Sequence, residues 1–158
     1  MLRKVRKATS AVRPIVSIQH RDHQEHRDLR EQAMTQAGAG LTEQIIGLGI
    51  KVHRRLGPGL LEAIYTECLC WELRHSGLAH AREVPLTVSY EDMRLTAAYR
   101  ADVIVEGSAI LEIKSVDRIL PVHEAQTLTY LRLSGCKVAL LMNFNSAMLK
   151  DGLRRFVA

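Results

Sequence analysis

The stretch "AILEIKSVD", residues Ala109 to Asp117, decides how the chain is read. It has the length and apolar content of a short buried strand, yet Glu112 and Lys114 stand where Val or Ile would be expected. Side chains alternate across a strand. Glu112 and Lys114 therefore emerge on one face with Ile110, and Leu111 and Ile113 on the other. Asp102 stands on the preceding apolar run, and its parity places it with Arg100 and Ile104. One hairpin separates it from Glu112, so the two carboxylates can converge on adjacent strands. Such a pair raises both pKa values unless a cation lies between them. Mg²⁺ is the natural guest, because it takes hard oxygen ligands and keeps waters for chemistry. Lys114 faces the same site and is expected to act on water or phosphate rather than on the ion.

An isolated Asp-x₉-Glu-x-Lys match is ordinarily a surface ion pair, so the rest of the chain must support the reading. Pro121 opens a helix, "PVHEAQTLTYLRL", that Gly135 closes. It sets His123, Gln126 and Tyr130 in one polar stripe directly after the Glu-x-Lys strand, where Gln126 and Tyr130 could hold Lys114 or a phosphate oxygen. Upstream, "GPGLLEAIY" gives Gly59, Glu62 and Tyr65 helical spacing, with Glu62 near a helix start. A carboxylate there favours the helix dipole, and it is also placed to be a further ligand or a base beside the metal.

The remaining pattern is that of one α/β domain. Thr42 is expected to cap a helix whose stripe is Ile45, Leu48, Gly49, Val52 and Leu56, and which Gly57-Pro58 stops. A second helix runs from Leu60 to His75. "REVPLTVSY", "LTAAYRADVIV" and "SAILEIKSV" read as an antiparallel meander. "KVALLMNF" is a continuous apolar run of the sort a central strand covered on both faces shows. A short helical piece and a final edge strand, "RRFVA", follow.

The chain has 158 residues, 47% hydrophobic and 25% charged, enough for a core without disulfide support. No apolar run approaches a membrane span. Cys68, Cys70 and Cys136 have no framework spacing, which fits a reducing cytoplasm and core positions. No G-x-S-x-G, P-loop or dinucleotide fingerprint is present. His20, His23 and His26 swing too far around a helix for a zinc site, and Cys68-x-Cys70 points to opposite sides of one.

Charge is unevenly spread. Residues 1–40 carry 8 Lys/Arg against 4 Asp/Glu, and residues 41–158 carry 14 against 13. Residues 1–40 are read as a basic tail, mostly disordered or partly helical, that ends at a flexible "AGAG". Residues 41–158 form the single domain. A basic arm touching nucleic acid competes with a misplaced start codon, and the second is preferred, with Met34 as the first residue. The near-neutral body binds polyanions weakly. The expectation is therefore a homodimer joining two basic patches, with Arg54, Arg55 and Arg118 as candidates, or a recruiting protein.

"GLLEAIY", "YRADVIVEGSAILEIKSV", "PVHEAQTLTYLRLSG" and "LLMNFN", in this order from Leu41 to the C-terminus, resemble the GxxExxY protein family. That family is a compact branch of the PD-(D/E)XK nuclease superfamily. The resemblance implies a nuclease-like sandwich, a central mixed β-sheet flanked by helices. It also implies a metal-assisted phosphodiesterase site. Asp102 and Glu112 would be Mg²⁺ ligands (Mn²⁺ as a substitute) and the Ile113 carbonyl a third. Lys114 would act on the attacking water, Glu62 would be the helix-borne acid, and Gln126 with Tyr130 would form the Q-x-x-x-Y motif. The implied activity is hydrolysis of DNA or RNA by metal-activated water. The competing reading is a catalytically silent nuclease-fold module that binds nucleic acid or a protein partner.

Overall fold

The computed structural model describes the backbone of Gln19–Ala158 and the side chains from Gly38 onward. The expectations for His20, His23, His26 and Met34 concern side chains or a start site outside the described residues. Residues Ala37–Ala158 form one compact unit. Helix α1 spans Gln19–Leu56 and α2 spans Glu62–His75; β1 (His80–Tyr90), β2 (Met93–Val105) and β3 (Ala109–Lys114) follow. Helix α3 (Pro121–Ser134) leads to β4 (Val138–Asn143), a 3₁₀ turn at Leu149–Gly152, and β5 (Leu153–Val157). The strands lie in chain order, β1-β2-β3-β4-β5. Only the β3–β4 pair is parallel, because α3 carries the chain back across the sheet between them. The fold is thus a mixed five-stranded sheet with helices on both faces.

Two expectations at the start of the domain are corrected. Thr42 is not a helix cap, because α1 already runs through it; its Oγ1 donates to the Gly38 carbonyl at 2.7 Å, one turn back. Nor does "AGAG" interrupt the backbone, which is helical there. Each helical glycine costs only about 1 kcal/mol relative to alanine, while extending an existing helix adds one hydrogen bond per residue. Glycine thus handicaps the segment without ending it.

The sheet divides the core. Ile45, Val52, Tyr65, Leu69 and Leu73 from α1 and α2 pack on Val103, Leu111, Ile113, Leu140 and Met142. On the other face, Tyr130 and Leu131 of α3 pack on Ala101, Ile110 and Ala139. β4 is buried at every position, as its unbroken apolar run requires. Cys70 and Cys136 are buried and Cys68 half-buried, all three as free thiols.

The 3₁₀ turn closes tightly on the end of β4. A Cβ on Gly152 would lie 2.6 Å from the Asn143 carbonyl oxygen and against Ser146 Oγ. Backbone cannot give way as a side-chain tip can. Gly152→Ala is expected to destabilise the fold by about 1–3 kcal/mol, the usual range for overpacking. Urea unfolding checks this, and an unchanged midpoint would show that the turn opens freely.

Candidate functional site

The site forms where β2 and β3 part. Their ladder runs from Val105–Ala109 through Ile104–Ile110 to Val103–Leu111 and stops there. The next rung would set Asp102 opposite Glu112. Instead of a further backbone bond, Asp102 Oδ2 accepts the Ile113 N–H at 2.8 Å. The strand separation thus exchanges a ladder bond for a carboxylate held against β3.

Glu112 is 2% exposed. Its Oε1 accepts from Lys114 Nζ at 2.7 Å, and its Oε2 has no hydrogen-bond partner among the described residues. A buried carboxylate oxygen without a donor is costly, so its persistence points to function. Burial first, and then the Asp102 charge, push the Glu112 pKa up to about 7, against the pull of Lys114. Burial also raises Asp102; the Ile113 N–H and Lys114 oppose it, and Glu62 adds to it. For Lys114, burial works downward. The hydrogen bond that Lys114 donates to Glu112, and the charges of Glu112, Asp102 and Glu62, outweigh it, and the ammonium stays above its usual range. The four groups are one electrostatic cluster.

Glu62 is the first residue of α2, and its Oε1 accepts the Ser115 N–H at 3.1 Å. Ser115 Oγ donates in turn to the Leu60 carbonyl at 2.6 Å. The start of α2 is thereby stapled to the residue after Lys114. Tyr65 secures the other side of this loop. Its hydroxyl donates to the Gly57 carbonyl (2.6 Å) and accepts the Leu60 N–H (3.1 Å), and its ring stacks on Phe144 at 4.6 Å. Gly57 and Gly59 have φ of 69° and 99°, a backbone that favours glycine.

Gln126 and Tyr130 do not reach Lys114 with a hydrogen bond. Gln126 Nε2 donates to the Tyr130 hydroxyl at 2.6 Å. Burial raises the Tyr130 pKa, the Gln126 hydrogen bond and Lys114 oppose the rise, and the charges of Glu112 and Asp102 add to it. His123 leaves the stripe, its Nδ1 accepting the Leu120 N–H at the start of α3 (3.1 Å). Two contributors were missed in the sequence. Asn143, buried opposite Lys114 on β4, donates through Nδ2 to the Val116 carbonyl (2.8 Å) and accepts the Val116 N–H through Oδ1 (3.0 Å). Ser115 is the second. A polar residue closing the apolar run "VALLMN" was the only signal for Asn143; Ser115 had none.

Among the described residues, no three or more His, Cys, Asp and Glu side chains converge as a metal-holding group. The carboxylates meeting at the strand ends are Asp102 and Glu112, with Glu62 turned to the backbone of Ser115. Among the described residues, no helix is long and apolar enough to cross a membrane.

A mixed sheet covered by helices, with an Asp, a Glu and a Lys at the split between two strands, defines a nuclease-like module. The family model of the PD-(D/E)XK nuclease superfamily matches residues 39–156, and the chain belongs to that superfamily. No curated protein matches the chain. No solved structure does either.

Proposed function

We propose that the chain is a Mg²⁺-dependent phosphodiesterase acting on nucleic acid, within the GxxExxY branch of the superfamily. The observation that carries this reading is the partnerless Oε2 of Glu112, buried beside Asp102. Two crowded, desolvated carboxylates with a free oxygen are what a hard cation stabilises. Mg²⁺ is commonly held by one or two carboxylates, with water and substrate phosphate completing the shell, so a third acidic side chain is not required. Asp102, Glu112 and the Ile113 carbonyl would hold it; Mn²⁺ suits the same oxygens. Bound there, the ion supplies Lewis-acid polarisation of the phosphate and acidifies water.

The chain's own groups do the rest. Lys114 uses one of its three donors on Glu112 and has others for a phosphate oxygen or the attacking water. Glu62 holds the end of β3 through Ser115 and so fixes where that ammonium stands. Gln126 holds the Tyr130 hydroxyl, which feels the charges of Glu112 and Asp102.

The second reading is a nuclease-fold module that grips nucleic acid or a protein without turnover. The lack of a third ligand side chain among the described residues and the closed Glu112–Lys114 pair favour it. Metal-dependent stability separates the two. In the metal-free protein, Glu112 and Asp102 bind protons more tightly folded than unfolded. Stability is therefore expected to fall as pH rises from about 4.5, the ordinary Glu value, through about 7. Mg²⁺ or Mn²⁺ binds the ionised pair, so its thermal stabilisation should grow over the same interval. Asp102→Ala should remove that stabilisation. Metal stabilisation with hydrolysis of a nucleic-acid panel supports the enzyme; no response to either metal at pH 8 supports the silent module.

A further inference from the structure

Away from the site, α1 and α2 enclose a cavity of about 370 Å³, the size of a small-ligand pocket. Val52, Leu56 and Cys68 give it an apolar floor, and Trp71 forms a wall with half of its surface exposed (51%). His75 stacks on the indole at 3.7 Å, with its Nδ1 2.8 Å from the Trp71 carbonyl oxygen. The stack holds the ring plane in place before any ligand arrives. Four charges line the cavity, and they are not equivalent. Glu72 is paired with Lys51 and Glu67 with Arg82, each at 2.6 Å. Arg55 and Arg74 have no carboxylate within salt-bridge distance among the described residues. A fixed aromatic face sharing one cavity with two guanidinium groups that make no ion pair among the described residues suits a flat ring that carries an anion.

We propose that this groove is a second nucleic-acid contact, specific for unpaired strands: a base lies on Trp71 while Arg55 and Arg74 take the flanking phosphates. The proposal rests on the reading that the chain acts on nucleic acid. Base–aromatic stacking is insensitive to sequence but needs an unstacked base, which selects single-stranded over duplex substrate. Trp71 lies about 14 Å along α2 from Glu62 and on the opposite side of that helix, so a strand crosses over α2 in passing from the site to the groove. It also supplies local cationic charge that the near-neutral domain lacks as a whole.

Trp71 is the chain's single tryptophan, so fluorescence excited beyond the absorption of the four tyrosines reports on this groove alone. The full chain is titrated in EDTA with a short oligothymidylate, which removes hydrolysis and metal binding from the readout. Saturable, salt-sensitive quenching is expected. Arg55→Ala and Arg74→Ala should each weaken it, and Trp71→Leu should weaken binding of a labelled oligonucleotide about tenfold or more. Circular dichroism checks that each variant is folded. Absence of quenching at low salt overturns the proposal, as does quenching unchanged by both Arg substitutions. A duplex that quenches equally well, or an acidic aromatic peptide that quenches where the oligonucleotide does not, overturns it too. Failure here and failure of the phosphodiesterase reading are distinct: quenching without any metal response retains the groove and loses the enzyme, and the reverse result loses the groove alone.

Discussion

Lys114→Ala is expected to lower hydrolysis by about 10²–10³-fold, the usual loss when one positioned charge stabiliser is removed. Its ammonium is the cation nearest the carboxylate pair, held 2.7 Å from Glu112 Oε1 in a half-buried position. The sequence suggested that metal binding would survive this change almost untouched, since the lysine acts on water and phosphate. The geometry alters that expectation. Lys114 is also what keeps Glu112 from protonating more readily, because its hydrogen bond and charge oppose burial and Asp102. Without it the Glu112 pKa moves above about 7, and Mg²⁺ must displace a proton near neutral pH. Metal affinity should thus fall at pH 7 and recover near pH 9, while the turnover defect persists at both. Kinetics and metal-dependent melting at the two pH values separate these effects. Unchanged hydrolysis in the folded variant would exclude Lys114 from the chemistry.

Tyr65→Ala is expected to cost about 3–5 kcal/mol, the range for removing a buried aromatic ring. Tyr65 is fully buried, and its ring stacks on Phe144 between α2 and the sheet. Tyr65→Phe keeps the ring and removes only the hydroxyl, leaving the Gly57 carbonyl and the Leu60 N–H without it. That variant should lose about 1–3 kcal/mol. It should also loosen the Leu60 carbonyl that receives Ser115 Oγ beside Lys114. Chemical unfolding of both variants tests the ranking. A Tyr65→Phe protein as stable as the parent would show that ring packing alone holds the loop. In the Gly59–Glu62–Tyr65 motif, the tyrosine is accordingly a structural lock and the glutamate a staple to β3.

The periodicities that revealed this fold are short-range properties of the chain. Pro121 and Gly135 bound α3 because one presets the helical φ and the other tolerates the left-handed conformation that ends it, with φ of 70°. Alternation along β3 put Glu112 and Lys114 on the α3 side with Ile110, and the hairpin brought Asp102 alongside. Thr42 was misread because a cap is decided by where a helix begins. Its sequence neighbourhood could not show that α1 starts earlier.

By itself, the sequence determined the order and type of the elements, the buried run of β4, and the convergence of Asp102, Glu112 and Lys114. These depend on backbone geometry repeating every few residues. Only the tertiary structure decided which partners the polar groups take. Glu62 holds Ser115 across 53 positions, Asn143 holds Val116 across 27, and Gln126 turns to Tyr130 rather than to Lys114. Among the described residues it alone left Glu112 Oε2 without a donor, and it alone brought Trp71, Arg55 and Arg74 to one cavity. Hydrogen bonds and ion pairs act over a few ångströms, so their pairing is settled when packing brings distant segments together, and no local pattern encodes it.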